Sequence, residues 1–156
     1  MAEFKSLLEK LVSIYGSGRD DGLYPTIGQW ERLLKQPSDN VLVTTQFAKF
    51  KPDFHSPETQ SAAAAYSQAS SRLMQTLGIE VIYEGVYGSV LYGHDRDDWD
   101  FLGMLRFPNR AKFLDLFLHS DYVAVHKARD LMMVRYKMLI SYPPFAHPVP
   151  WKAAAG

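Results

Sequence analysis

The sequence predicts an α+β domain, a four-stranded antiparallel sheet with its helices on one face, in the chain order β-α-β-β-α-β. Three observations predict it. Segments rich in β-branched and aromatic residues stand at 41–50, 79–93, 99–107 and 132–142, the composition of strands. Stretches with helical apolar spacing separate the first strand from the second and the third from the fourth, whereas only a short polar stretch separates the second from the third. The chain has 156 residues, 47% of them hydrophobic and 13% aromatic, enough for one core with some decoration.

Each element has its own warrant. Residues 3–15 place Phe4, Leu7, Leu8, Leu11 and Tyr15 at helical spacing, with Gly16 as a stop. A glycine-rich turn, 16–22, precedes a second helix in which Thr26 and Gln29 have the spacing of a capping box and Pro37 ends the run. The first strand, 41–50, leads to a long helix with Ser56 as N-cap, Pro57 at its first position, Glu58 favouring the helix dipole and Gly78 closing it. The second strand, 79–93, contains glycines that point to bends, and the third is 99–107. Pro108 and Asn109 open a helix with Phe113, Leu116 and Phe117 on its inner face, continuing irregularly towards residue 130. The fourth strand is 132–142. This order is the ferredoxin-like split unit. The expected organisation is an N-terminal helical appendage at 1–38, the sheet-bearing domain at 39–143, and an extended C-terminal tail at 144–156.

A one-sided sheet shows polar residues on its free face. Here Trp99, Phe101, Leu105 and Phe107 read as one apolar face of the third strand, and Leu102 and Met104 as the other. A second copy of the chain is the simplest cover, so a homodimer joined sheet to sheet into a barrel is expected.

Composition removes several function classes. The 17 basic and 17 acidic residues balance, so nothing favours nucleic acid. The absence of cysteine removes disulfides and thiolate chemistry. No apolar run approaches the ~20 residues that span a bilayer, and the N-terminus lacks the layout of a signal peptide; a cytoplasmic protein without membrane partners is expected. Glycine-rich nucleotide loops, a P-loop and a Gly-x-Ser-x-Gly elbow are absent, and no cofactor is called for.

Residues 41–142 resemble a family of the dimeric α/β-barrel superfamily, the domain-of-unknown-function family thirteen-thirty. Its first strand ends Asn-Leu-x-Arg-Phe-Arg; here the stretch reads Gln46-Phe47-Ala48-Lys49-Phe50-Lys51. Its third strand and second helix read Trp-Asp, apolar residues, then Arg-Tyr-Pro-Ser-Arg-x-x-Phe. Here Trp99-Asp100 is followed by Arg106-Phe107-Pro108-Asn109-Arg110-Ala111-Lys112-Phe113. Tyr122 after Ser120-Asp121 also fits, and where family members carry a His-Arg pair further along the helix, Val125-His126-Lys127-Ala128-Arg129 offers the same residue types. Gln46 and Lys49 keep the family's polarity but change its reach and geometry. The resemblance implies the fold and the dimer. Superfamily relatives include cofactor-free monooxygenases, polyketide cyclases, lactone isomerases and haem enzymes, and fold does not choose among them.

The candidate chemistry starts with the polar stretch His94–Asp100. Counted from Asp95, a calcium loop would need glycine sixth and glutamate twelfth, where Asp100 and Arg106 stand. Zinc would need partners that His94 lacks. No metal site is expected, and Asp95, Arg96, Asp97 and Asp98 read as a solvated hairpin tip. Asp100 is different, since a carboxylate entering an apolar strand needs a partner. Either it pairs with Arg106, Arg110 or a strand-four base, or it has a raised pKa and acts as a base with His94. Glu84 lies mid-strand, where Arg106 and Arg135 could neutralise it. His126 and Arg129, three apart on one helical face, form either a surface pair or an anion site. Tyr83, Tyr87, Trp99 and Phe101 are aromatic walls for a pocket, a core or an interface. With Gln46 and Arg106 these residues complete the candidate ligand set. The functional expectation is a metal-free acid–base enzyme (a cyclase, an isomerase or a cofactor-free oxygenase) acting on an apolar, oxygen-bearing small molecule. The alternative is a non-catalytic hydrophobic-ligand or stress-response module.

Overall fold

The computed structural model describes residues 2–94 and 98–143. The expected hairpin tip at Asp95, Arg96 and Asp97 and the tail 144–156 lie outside the described residues. The elements are α1 (Ala2–Tyr15), α2 (Ile27–Leu34), β1 (Leu42–Phe50), α3 (Pro57–Leu77), β2 (Glu80–Val86), β3 (Phe101–Phe107), α4 (Arg110–Leu118), α5 (Ser120–His126), α6 (Arg129–Met132) and β4 (Met133–Ser141). The sheet order is β2-β3-β1-β4, and every pairing is antiparallel. This is an α+β fold with ferredoxin-like topology. No helix among the described residues is long and apolar enough to cross a membrane.

Local chemistry sets the helix ends. The Thr26 side chain accepts from the Gln29 N–H while the Gln29 side chain accepts from the Thr26 N–H, completing the capping box of α2. Ser56 caps α3, and Gly78 ends it in the left-handed conformation that glycine adopts without cost. The irregular helix beyond Asn109 is three pieces. His119 is extended, closing α4 while its ring accepts from the Asp121 N–H to start α5.

Register assigns the faces. Leu42, Thr44, Gln46 and Ala48 pair with Phe107, Leu105, Gly103 and Phe101, and on the other side Thr44, Gln46 and Ala48 pair with Ile140, Met138 and Tyr136. Paired residues share a face, and this one meets the helices: Leu42, Thr44, Ala48 and Phe107 are buried. The opposite face carries Phe47, Leu102, Met104, Tyr83 and Leu139, the last two about half exposed. Trp99 departs from the expected alternation. It lies before the start of β3 and packs on Phe47, 5.6 Å between ring centroids, on the face without helices. β2 ends at Val86 because its last partner is Phe101, the first residue of β3. The pairing runs one bond further, where the Tyr87 N–H donates to the Asp100 carbonyl at 3.0 Å, and residues 88–93 are not strand.

The two N-terminal helices share the core of the domain. Leu11, Tyr15, Trp30, Leu33 and Leu34 belong to one buried cluster with Leu42, Phe107, Phe113 and Phe117. Tyr15 and Trp30 meet at 5.7 Å, Trp30 and Phe117 at 5.7 Å, and Phe113 stacks on Phe117 at 4.7 Å. The loop between α1 and α2 also covers the edge strand, since the Tyr136 N–H donates to the Asp21 carbonyl at 3.0 Å. That contact fixes Gly22, whose φ is +73° and where a Cβ would run into the Tyr136 carbonyl oxygen. Gly22→Ala should therefore cost about 1–3 kcal/mol through backbone strain, read as a lower denaturation midpoint with an unchanged slope. An unchanged midpoint would mean that the loop does not rest on β4.

Candidate functional site

The end of β1 and the start of β3 hold Asp100. Its carboxylate accepts from Lys49 Nζ at 3.1 Å and from the Phe50 N–H at 2.8 Å. The base is therefore on the neighbouring strand rather than on Arg106, Arg110 or β4. Lys49 also pairs with Asp98 at 2.9 Å. His94 is exposed, and among the described residues no hydrogen bond or ion pair joins it to Asp100. Arg106 pairs with Glu80 at 3.0 Å, while Glu84 is exposed and stands opposite Gly103. Arg135 stacks on Trp99, 4.3 Å from the ring centroid. Trp99, Tyr87 and Phe47 line a shallow depression of about 250 Å³. Phe101 lies on the helix-side face, and Tyr83 on the other.

Three candidates do come together, beneath the helices. The chain turns sharply at the junction of α5, α6 and β4, and this turns His126 and Arg129 inward, each only 2–3% exposed. Arg129 Nη1 lies 3.0 Å from His126 Nε2, and its guanidinium carbon sits 3.7 Å over the Tyr136 ring, within cation–π range. The Tyr136 hydroxyl donates to Gln46 Oε1 at 2.7 Å, and Gln46 Nε2 donates to Thr44 Oγ1 at 3.1 Å. One polar chain thus runs from Thr44 on β1 through Gln46 to Tyr136, whose ring carries Arg129 and, beyond it, His126.

Aromatic rings enclose this chain. Tyr15, Tyr24 and Tyr122 lie 4.8, 5.3 and 5.5 Å from the His126 ring, and the Tyr66 and Tyr122 hydroxyls are 3.2 Å apart. Burial, and then the adjacent Arg129 charge, push the His126 imidazole down to about 3, so it is neutral and can accept from Arg129. Burial raises the Tyr15, Tyr122 and Tyr136 hydroxyls, which stay protonated. The nearest carboxylate in sequence, Asp130, is engaged elsewhere. Against the effect of its partial burial, the Tyr24 hydroxyl at 2.7 Å and the Arg19 guanidinium hold it below its ordinary range. Among the described residues no carboxylate forms an ion pair with Arg129.

Beside this cluster a cleft of about 510 Å³ opens between α2, α4 and β4. Its rim includes the exposed Gln29, Arg32 and Ile140, and its wall includes the buried Trp30, Phe113, Phe117 and Arg129. Both the size and the mix of apolar lining with few polar groups suit a small-molecule site. Buried donors here lack partners among the described residues: Trp30 Nε1, and Arg129 Nε and Nη2. An unmade hydrogen bond of this kind is costly. Trp30, Tyr136 and the enclosing tyrosines were not among the sequence candidates. The available signal was weak: Tyr136 alternates with Met138 and Ile140 along β4, and Trp30 sits in the apolar stripe of α2.

No family model matches the chain, and no curated protein matches it. Solved structures do. The chain is similar to a protein of unknown function from Rhodopseudomonas palustris, with a TM-score of 0.69 and 19% identity over 78% of this chain and 96% of that one. A methylated form of that protein aligns over 81% of this chain with the same score and identity. A dimeric protein of unknown function and ferredoxin-like fold from Bacteroides fragilis aligns at a TM-score of 0.47 and 13% identity, over 68% of this chain and 99% of that one. At such identities the likeness is one of fold.

Proposed function

We propose that this chain is a homodimeric binding module for a small, apolar, oxygen-bearing molecule, held in the cleft between α2 and β4. The cleft carries the reading: an apolar space of about 510 Å³ backed by aromatic rings and by buried donors that have no partner among the described residues. Oxygen atoms of a ligand would supply the acceptors that these donors lack. Acid–base catalysis at Asp100 and His94 would need Asp100 released from Lys49 and the Phe50 N–H, so binding is the reading that the geometry supports better. The second copy would cover Phe47, Tyr83, Leu102, Met104 and Leu139, an apolar set on the face without helices.

A neutral solvatochromic dye such as Nile red tests the cleft. The wild type should bind it, and Ile140→Trp, which fills the rim, should weaken binding severalfold without lowering stability. Equal dye binding by the two proteins would move the site out of the cleft. Asp100→Asn and His94→Gln should leave dye binding unchanged, and loss in both would return the function to that pair. Light scattering at micromolar concentration should give twice the 17.8 kDa chain mass; a stable monomer would leave the sheet face without its proposed cover.

A further inference from the structure

We infer that the cleft selects a monocarboxylate, an organic acid with a flat apolar body, and that Arg129 is the residue that reads the charge. The inference rests on the cleft as the ligand site and adds the chemistry of the ligand's polar end.

Arginine offers five N–H bonds in a fixed fork. In Arg129 one terminal nitrogen, Nη1, faces His126 Nε2 at 3.0 Å. Among the described residues, Nε and Nη2 have no hydrogen-bond partner. In a planar guanidinium these two carry the pair of N–H bonds that point the same way, and that edge takes both oxygens of a carboxylate at once. This buried, partnerless edge is the one whose geometry matches a carboxylate.

Charge leads to the same ligand. Arg129 is 3% exposed, and a buried cation without an anion is unfavourable. The groups around it cannot supply the anion. His126 is neutral, Asp130 is tied to Arg19 and Tyr24, and Tyr136 gives its proton to Gln46. The Tyr136 face offers attraction to the cation but no counter-charge. One negative charge would balance one guanidinium. A phosphate dianion would bring a second charge against a wall built of Trp30, Phe113 and Phe117; Arg32 and Lys137 also line the cleft but are exposed, and among the described residues Arg129 is its one buried guanidinium or ammonium. The same rings favour a flat apolar body behind the carboxylate.

Affinity for a matched pair of probes tests the inference by isothermal titration calorimetry at pH 7. The pair is 3-phenylpropionate and its primary amide, 3-phenylpropanamide, which share size and shape but not charge; phenyl phosphate is the third probe. The wild type should prefer the carboxylate over the amide by about tenfold or more, as a charge-assisted bidentate contact requires, and over phenyl phosphate. Arg129→Met removes the charge while keeping an apolar stem, and it should abolish the preference. Arg129→Lys keeps the charge without the fork and should lose most of it. Equal binding of acid and amide, tighter binding of phenyl phosphate, or no measurable carboxylate binding would each overturn the inference. With the dye still confined to the cleft, those outcomes leave the cleft as a binding site for neutral molecules. A dye indifferent to Ile140→Trp would overturn the cleft itself.

Discussion

Trp30→Ala should lower the unfolding free energy by about 3–5 kcal/mol, the range for truncating a buried tryptophan. The indole is 2% exposed and lies between Tyr15 and Phe117, where little can collapse into the space it leaves. Removal of residues 1–38 should be more damaging still. It strips Leu11, Tyr15, Trp30, Leu33 and Leu34 from the cluster that holds Leu42, Phe113 and Phe117. The truncated chain should be insoluble or lose its near-ultraviolet circular dichroism. A folded, cooperative fragment 39–156 would show that the N-terminal helices only decorate the domain.

The second large effect is on pH dependence. In the unfolded chain the imidazole of His126 titrates near its ordinary 6.5, and in the fold at about 3. Between these values the unfolded state binds the proton and the native state does not, so stability rises with pH through this window. The contribution is complete above about pH 6.5 and is lost progressively as the pH falls towards 3. From pH 7 to pH 5 it amounts to about 2 kcal/mol, at about 1.4 kcal/mol per unit of pKa difference. His126→Gln keeps an acceptor for Arg129 and removes the titration. The surrounding Tyr15, Tyr24, Tyr122, Arg129 and Asp130 are the same in both proteins, so their titration cancels in the comparison. Urea midpoints at the two pH values should fall further for the wild type than for the variant. Parallel losses would mean that water reaches His126.

The elements themselves were legible because their signals are local. Thr26 with Gln29, Ser56 before Pro57, and Gly78 each mark a helix end through bonds within a few residues. The strand order follows from the element order once both connections are helical. What the sequence hides is mutual placement. Asp100 reads as a carboxylate in need of a base, yet nothing local says that the base is Lys49, fifty-one positions away on the neighbouring strand. Trp99 reads as part of an alternating strand, but β3 starts two residues later and the ring turns to Phe47. His126 and Arg129 read equally as a surface pair, because spacing on a short helix does not reveal which face is buried. The packing of α1 and α2 is hidden for a related reason: an amphipathic stripe shows that a helix packs, not what it packs against.

The most direct measurement is a titration of the ¹⁵N-labelled protein with 3-phenylpropionate, following the indole N–H resonances of Trp30 and Trp99. Trp30 lines the cleft and Trp99 lies on the opposite face of the sheet. A ligand held between α2 and β4 should shift the Trp30 resonance saturably, since its Nε1 has no partner among the described residues, and leave Trp99 in place. A saturable shift at Trp99 with Trp30 unmoved would put the ligand on the sheet face and contradict the account.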